Sequence, residues 1–189
     1  NLGNTLKEKG NLYDAEINLR KAIKLKPDFA KAYYNLGNTL KENGNLYDAE
    51  INQRKAIELN PDYIEAYNNL GNILKELGKV DLAIIYFRKA IELKSDFAEA
   101  YSNLGCVFKD LGQLNEAEKN LKVAINIQPD FVRPYFNIST LNIVGNSDWH
   151  KYLFSNYIIK DKSTREKIDI LFARANVLHL DNKFEESAE

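Results

Sequence analysis

Asparagine recurs along this chain at a spacing suited to holding a ligand rather than transforming one. Asn1, Asn35, Asn69, Asn103 and Asn137 form one column, and Asn4, Asn38 and Asn72 form a second that continues as Cys106 and Thr140. A carboxamide offers two N–H donors and a carbonyl with two lone pairs, so one side chain can pair with both halves of a peptide group. Charges recur with the same step: Lys7, Lys41, Lys75 and Lys109 make a basic row, and Glu8, Glu42, Glu76 and Asp110 make an acidic one. Adjacent residues on a helix point about 100° apart, so the two rows are expected on different faces. The acidic row shares the asparagine face and the basic row edges it. A solvated surface accounts for both rows; if they select anything, it is a peptide of mixed charge.

The groups that could do covalent or metal chemistry are scattered. Cys106 is the one cysteine, so no intrachain disulfide or thiolate cluster is expected, which fits a reducing, cytoplasmic setting. It reads as a bystander thiol. His150 and His179 lack ligand spacing, and no metal or cofactor is expected. Ser147, Asp148 and His150 sit at a predicted helix start, where capping explains them better than a catalytic triad. The sequon Asn137-Ile138-Ser139 falls on a helix of an intracellular chain and is set aside. No glycine-rich phosphate loop is present, so no enzymatic activity is expected of these residues themselves. Net charge is −1 from 26 basic and 27 acidic side chains, which offers no global field for nucleic acid or an anionic membrane. No apolar run approaches the roughly 20 residues of a membrane span.

The elements that must position the asparagines come from an internal repeat. Residues 1–29 and 35–63 differ only where Lys9, Leu19, Lys24, Lys26 and Phe29 become Asn43, Gln53, Glu58, Asn60 and Tyr63. Within a unit, Tyr33, Leu36, Gly37 and Leu40 form a helical stripe. Gly44-Asn45 breaks it, a second helix carries Leu46, Ala49, Ala56, Ile57 and Leu59, and Pro61 stops that helix. Gly10, Gly44, Gly78 and Gly112 mark the turns. Gly3, Gly37, Gly71 and Gly105 sit in mid-helix, where glycine costs about 1 kcal/mol against alanine, so the backbones are expected to touch there. Pro134 falls in the first turn of a helix, where its missing N–H does no harm. Full units occupy 30–63, 64–97 and 98–131, after a partial unit 1–29 and before a half unit 132–144. Gln53 stands where the other units have Leu19, Phe87 and Leu121, so it must find a partner or lie at the rim. Gly145 arrives one residue early and the array breaks there. In 145–189, Trp149 to Ile158 predicts a helix of about three turns. Ser163 to Glu166 is a capping box opening a helix with the stripe Ile168, Leu171, Phe172, Ala175 and Leu178. Asp181-Asn182 turns the chain into a further helix from Lys183. With no methionine and an opening in mid-pattern, the sequence reads as a piece of a longer chain.

The set Tyr33, Leu36, Gly37, Leu40, Ala49, Ala56 and Pro61, renewed through residues 1 to about 144, resembles the tetratricopeptide repeat. The resemblance implies an all-α, right-handed α-solenoid of stacked helix-turn-helix repeats, with 145–189 a divergent, TPR-like continuation. Stacked repeats leave an extended concave surface, which in this family is lined by the first helix of each unit. The function implied is a protein–protein interaction scaffold that binds an extended peptide or partner segment in the groove. Neighbouring helices lie about 8–10 Å apart and an extended chain advances about 3.3–3.6 Å per residue, so the rungs would meet it about every third residue. The ladder is similar to the asparagine-lined superhelix of the O-GlcNAc transferases. The segment from Trp149 to Ser187 is similar to one that follows repeat arrays in some bacterial sulfotransferase-linked proteins. The alternative is therefore a substrate-recruiting region of a larger transferase whose catalytic domain lies elsewhere. Tetratricopeptide domains that clamp acidic chaperone tails need groove cations, and here the corresponding places carry Tyr34, Asn38, Asn69, Glu99 and Asn103. Exposed apolar surface at the ends of the array would permit self-association.

Overall fold

A computed structural model describes the backbone of residues 2–141 and 148–180, with side chains from residue 11 onward. The chain divides into two compact units, Asn1–Ser95 and Asp96–Glu189. The first contains α1 (Leu2–Leu25), α2 (Ala30–Glu42), α3 (Leu46–Leu59), α4 (Ile64–Glu76) and α5 (Val80–Leu93). The second contains α6 (Ala98–Asp110), α7 (Leu114–Ile127), α8 (Val132–Ser139), α9 (Asp148–Leu153) and α10 (Thr164–Leu180). No strand occurs among the described residues. The pairs α2–α3, α4–α5 and α6–α7 each pack side by side, as the repeat demands. The chain is all-α, built from helix-turn-helix units of the kind that stack into solenoids.

Each pair is closed by the same turn. After α2 the chain adopts φ +80° at Gly44, a left-handed conformation that glycine enters without a Cβ penalty. The Asn45 N–H then reaches back to the Leu40 carbonyl at 2.8 Å and the Gly44 N–H to Lys41 at 2.9 Å. This double bond pattern is a Schellman cap, which satisfies the last carbonyls of the helix. Gly78 repeats the geometry after α4, with Lys79 N–H to Leu74 at 2.8 Å and Gly78 N–H to Lys75 at 3.0 Å.

The mid-helix glycines are where the paired helices press together. A Cβ on Gly71 would lie 2.6 Å from the Phe87 ring, and one on Gly105 would lie 2.7 Å from Leu121 Cγ. Real Cβ contacts do not come that close. Ala49, Ala56, Ala83, Ala90, Ala117 and Ala124 are all fully buried, so small residues on the second helices complete the approach. Around them Leu36, Leu40, Leu70, Ile73 and Leu74 make the apolar centre of the first unit. In the second unit Val107, Leu121, Ile125, Tyr135 and Ile138 do the same. Pro134 lies in the first turn of α8.

The structure departs from the sequence reading at several places. The turn expected at Gly10 is absent, because α1 runs unbroken from Leu2 to Leu25. A glycine costs a helix only about 1 kcal/mol, and the turn gains over it only when the first helix folds back onto the second. Next, α9 is shorter than the three turns expected. It ends at Leu153, where Arg174 donates from Nε to the Leu153 carbonyl at 2.8 Å and from Nη2 to that of Ser155 at 2.9 Å. A side chain from α10 thus takes over the carbonyls a longer helix would have used. The helix that packs against α8 is α10; α9 begins at residue 148, on the 34-residue step of α3, α5 and α7 at 46, 80 and 114, without forming the side-by-side pair those helices make. The early glycine Gly145, Asn142, Ser147, the Asp181-Asn182 turn and the helix from Lys183 lie outside the described residues.

The capping box at the start of α10 forms as its spacing predicts. Glu166 N–H donates to Ser163 Oγ at 3.3 Å, and the Glu166 carboxylate accepts from Ser163 N–H at 2.9 Å and Oγ at 2.6 Å. Those bonds to Ser163 hold the Glu166 carboxyl below its ordinary range. The packing face of α10 is different from the one expected. Ile170, Ala173 and Val177 are buried, whereas Ile168, Leu171 and Phe172 are exposed. The helix is apolar on both sides, and periodicity alone could not say which side packs.

Candidate functional site

The two asparagine columns do not run side by side; they interlock. On α2, Tyr34, Asn38 and Lys41 recur every three to four residues and form the edge turned toward α4. From α4, Asn69 donates through Nδ2 to Asn38 Oδ1 at 2.9 Å and to the Tyr34 hydroxyl at 3.2 Å. The second unit repeats the arrangement between α6 and α8, where Asn137 Nδ2 donates to Cys106 Sγ at 3.0 Å. Cys106 follows Asn38 by two repeats and Asn137 follows Asn69 by two, so the thiol stands in for a carboxamide oxygen. Within each unit, the second column of one repeat therefore accepts from the first column of the next. These side chains tie adjacent repeats together as well as facing outward.

Access to the rungs is uneven. Asn35, Asn38, Asn69 and Asn72 are half-buried, but Asn103 is only 8% exposed and Asn137 only 7%. Asn137 is closed in further by Lys109, whose Nζ donates to its Oδ1 and to Thr140 Oγ1, both at 3.3 Å. The open part of the ladder is thus on α2 and α4. Asn1 and the side chain of Asn4 lie outside the described residues.

Gln53 is the residue whose role the sequence left undecided. It is fully buried and finds its partners across the helix pair. Its Nε2 donates to the Tyr34 backbone carbonyl at 3.2 Å and to Asn38 Oδ1 at 2.7 Å. Its Oε1 is buried with no hydrogen-bond partner. Gly37 makes the reach possible, since a Cβ there would come within 2.8 Å of Gln53 Nε2. Tyr34 in turn stacks on Tyr63 with ring centroids 4.8 Å apart. Burial, then the neighbouring Tyr34 and Glu65, pushes the Tyr63 phenol above its ordinary value. The sequence signals for this cluster were the polar residue at a leucine position and the tyrosine beside the asparagine column.

The charge rows also meet between repeats rather than staying on separate faces. Lys41 on α2 pairs with Glu76 on α4 at 2.9 Å. Successive first helices present opposite edges to each other, so a basic residue of one repeat reaches the acidic residue of the next. Lys109 points instead to Asn137 and Thr140. Glu42 and Asp110 are exposed and Lys75 is half-buried. An exposed pair of this kind is worth about 0–1 kcal/mol.

A stronger ion cluster joins the second helices of the first unit. Glu50 on α3 accepts from Arg54 at 2.9 Å and from Lys79 at 2.7 Å, and Arg54 Nη1 donates to the Tyr86 hydroxyl at 2.6 Å. Burial raises the Glu50 carboxyl, but hydrogen bonds from Lys79 and Arg54 outweigh it and hold the group below its ordinary value. A depressed folded-state value means the stabilisation is present above the unfolded carboxylate pKa of about 4.3 and is lost as pH falls through the lower folded value. Glu50→Gln is expected to cost about 1–2 kcal/mol at pH 7 and much less near pH 3. Urea melts of both proteins at the two pH values check this.

Among the described residues no group of three or more His, Cys, Asp or Glu side chains could hold a metal ion, and no helix is long and apolar enough to cross a membrane. His150 packs against Trp149 with ring centroids 3.9 Å apart.

Paired helices on a 34-residue register, closed by glycine caps and cross-linked through their first helices, define a helical-repeat protein. Two models of the tetratricopeptide repeat match residues 28–96 and 86–119, and a TPR repeat model matches 3–44. The chain is a tetratricopeptide repeat protein. Solved structures agree on the fold. The crystal structure of MamA covers 98% of this chain and 98% of its own at 22% identity, with a TM-score of 0.66. YrrB, described as a TPR protein with an unusual peptide-binding site, covers 98% and 86% at 19% identity, TM-score 0.60. The first TPR of Spaghetti (RPAP3), solved bound to the HSP90 peptide SRMEEVD, covers 59% and 89% at 20% identity, TM-score 0.57. No curated protein matches the chain in sequence.

Proposed function

We propose that this protein is an interaction scaffold that holds the main chain of an extended peptide along the first helices of its repeats. The observation that carries the reading is the half-buried asparagine cluster on α2 and α4, where Asn38 and Asn69 are fixed by neighbours yet keep hydrogen-bonding capacity. Asn69 spends both N–H groups on Tyr34 and Asn38, which leaves its carbonyl oxygen as an acceptor. Asn38 accepts twice, from Gln53 and Asn69, and retains its own N–H donors. One acceptor and one donor set side by side match the N–H and C=O of a single residue in an extended chain, which point to the same side. Solved relatives of the same fold, YrrB and the RPAP3 repeat, are described with a peptide site and with a bound peptide, which supports the class of ligand. The groove cations needed for a carboxylate-ended chaperone tail are missing at Tyr34, Asn38 and Asn69, so a terminal carboxylate is not the ligand proposed.

Contacts of this kind read the backbone and tolerate varied side chains. A peptide selected on the protein from a random library is expected to lose no more than about threefold in affinity for most alanine substitutions. Methylating the backbone N–H at the position that meets Asn69 is expected to cost at least tenfold, about 1.4 kcal/mol. Fluorescence anisotropy with labelled peptides measures both. A peptide sensitive only to its side chains would overturn the reading.

A further inference from the structure

We infer that Gln53 is a positioning residue that fixes which way the Asn38 and Asn69 amides face, and so sets the direction in which a peptide lies on this rung. The inference rests on the peptide-binding reading and names the device that would give it a polarity. A carboxamide can be turned over with little change in shape, so an isolated asparagine pair has no preferred sense. Here one fixed group removes that freedom. The Tyr34 backbone carbonyl can only accept, so the Gln53 atom 3.2 Å from it must be Nε2. The same nitrogen lies 2.7 Å from Asn38, whose facing atom must then be the oxygen. That oxygen lies 2.9 Å from Asn69, whose facing atom must be the nitrogen. The hydroxyl of Tyr34, which can donate or accept, adapts to the Asn69 nitrogen at 3.2 Å. Each link decides the next, and the chain begins at an atom that cannot change its character.

The outcome is a rung with a donor end at Asn38 and an acceptor end at Asn69. A bound residue in an extended chain would place its carbonyl toward α2 and its N–H toward α4, so the peptide would run N-to-C from α4 to α2. The arrangement has a cost that supports a role beyond packing, because Gln53 leaves its Oε1 buried without a partner. Leu19, Phe87 and Leu121 occupy the corresponding place in the other repeats and can supply no such anchor. The first unit therefore carries one rung of defined polarity on a scaffold whose other second helices are apolar at this point.

The test uses the full chain carrying Gln53→Leu, a residue already accommodated against Gly105 in the form of Leu121. Two readouts separate the lock from the ligand. In the free protein, side-chain amide NMR is expected to show a slowly exchanging N–H pair for Asn69, both of whose N–H groups are bonded, and a well-dispersed pair for Asn38, whose carbonyl oxygen is held. Gln53→Leu should move both toward solvent-exposed values while the thermal midpoint holds or rises. Unchanged amide resonances in the variant overturn the lock, whatever the protein binds. The second readout is a library-selected peptide in which each amide in turn is replaced by an ester. Wild type should lose at least tenfold at one position, and Gln53→Leu should reduce that loss below about threefold. An identical ester profile in both proteins overturns the assignment of polarity to Gln53. Failure to select any peptide would overturn the binding reading and the polarity with it, while the amide spectra still report whether the lock exists.

Discussion

Gly71→Ala is expected to destabilise the protein by about 2–3 kcal/mol, although alanine is the better helix former by about 1 kcal/mol. The reason is the ring of Phe87, which is fully buried and would lie 2.6 Å from the new methyl group. A ring packed on all sides cannot swing away, so α4 and α5 must separate, and overpacking of a tight core costs about 1–3 kcal/mol and sometimes more. For a chain of this size the thermal midpoint should fall by about 4–12 °C. Gly37→Ala is the internal control. Its methyl meets Nε2, Cδ and Cγ of Gln53, an unbranched chain rather than a ring. It should disturb the bonds to Tyr34 and Asn38 at about 1 kcal/mol each, offset by about 1 kcal/mol of helix propensity, and the net loss should be the smaller one. Thermal melts of the two variants followed by circular dichroism check the contrast. If Gly71→Ala were as stable as wild type, the glycine column would not mark helix contact.

Asn69→Ala is expected to act on stability and on binding together. It removes two hydrogen bonds that join α4 to α2, each worth about 1 kcal/mol, so a loss of about 1–2 kcal/mol is expected. The sequence places the asparagine columns on the groove-lining face of the first helices, where truncating Asn69 and Asn103 would leave the midpoint nearly constant. Asn69 proves to be a cross-link and Asn103 is buried, so that expectation does not survive the structure. Peptide affinity should fall at least tenfold, measured well below the midpoint so that unfolding does not contribute. Asn35→Ala separates the two effects. Asn35 is half-buried, and of its groups the backbone carbonyl is the one bonded by a side chain, Thr39 Oγ1 at 3.0 Å. Its loss should weaken binding while the melt barely moves.

The fold was readable because glycine and alanine at fixed steps report contact directly. Gly44 demanded a left-handed turn, and Gly71 demanded a neighbour with no room for a methyl group. Those constraints are local, and the 34-residue register repeats them. What the sequence could not reveal was which edge of one first helix meets which edge of the next. Asn38 and Asn69 belong to different columns, and their meeting depends on how α4 is set against α2. The pairing of Lys41 with Glu76 was hidden for the same reason. Gln53 was conspicuous as a polar residue at an apolar position, yet its partners lie 15 and 19 residues away across a helix pair. On α10, apolar residues on both sides left periodicity with two answers, and the structure buries Ile170, Ala173 and Val177 rather than Leu171 and Phe172.

The most direct test of the account follows the side-chain amides during titration with a library-selected extended peptide. With isotope-labelled protein, the N–H resonances of Asn35, Asn38, Asn69 and Asn72 are predicted to shift together and saturate at the same peptide concentration. Shifts confined to the second helices or to the exposed stripe of Ile168, Leu171 and Phe172, with those amides unmoved, would contradict the claim that asparagines on the first helices hold the ligand.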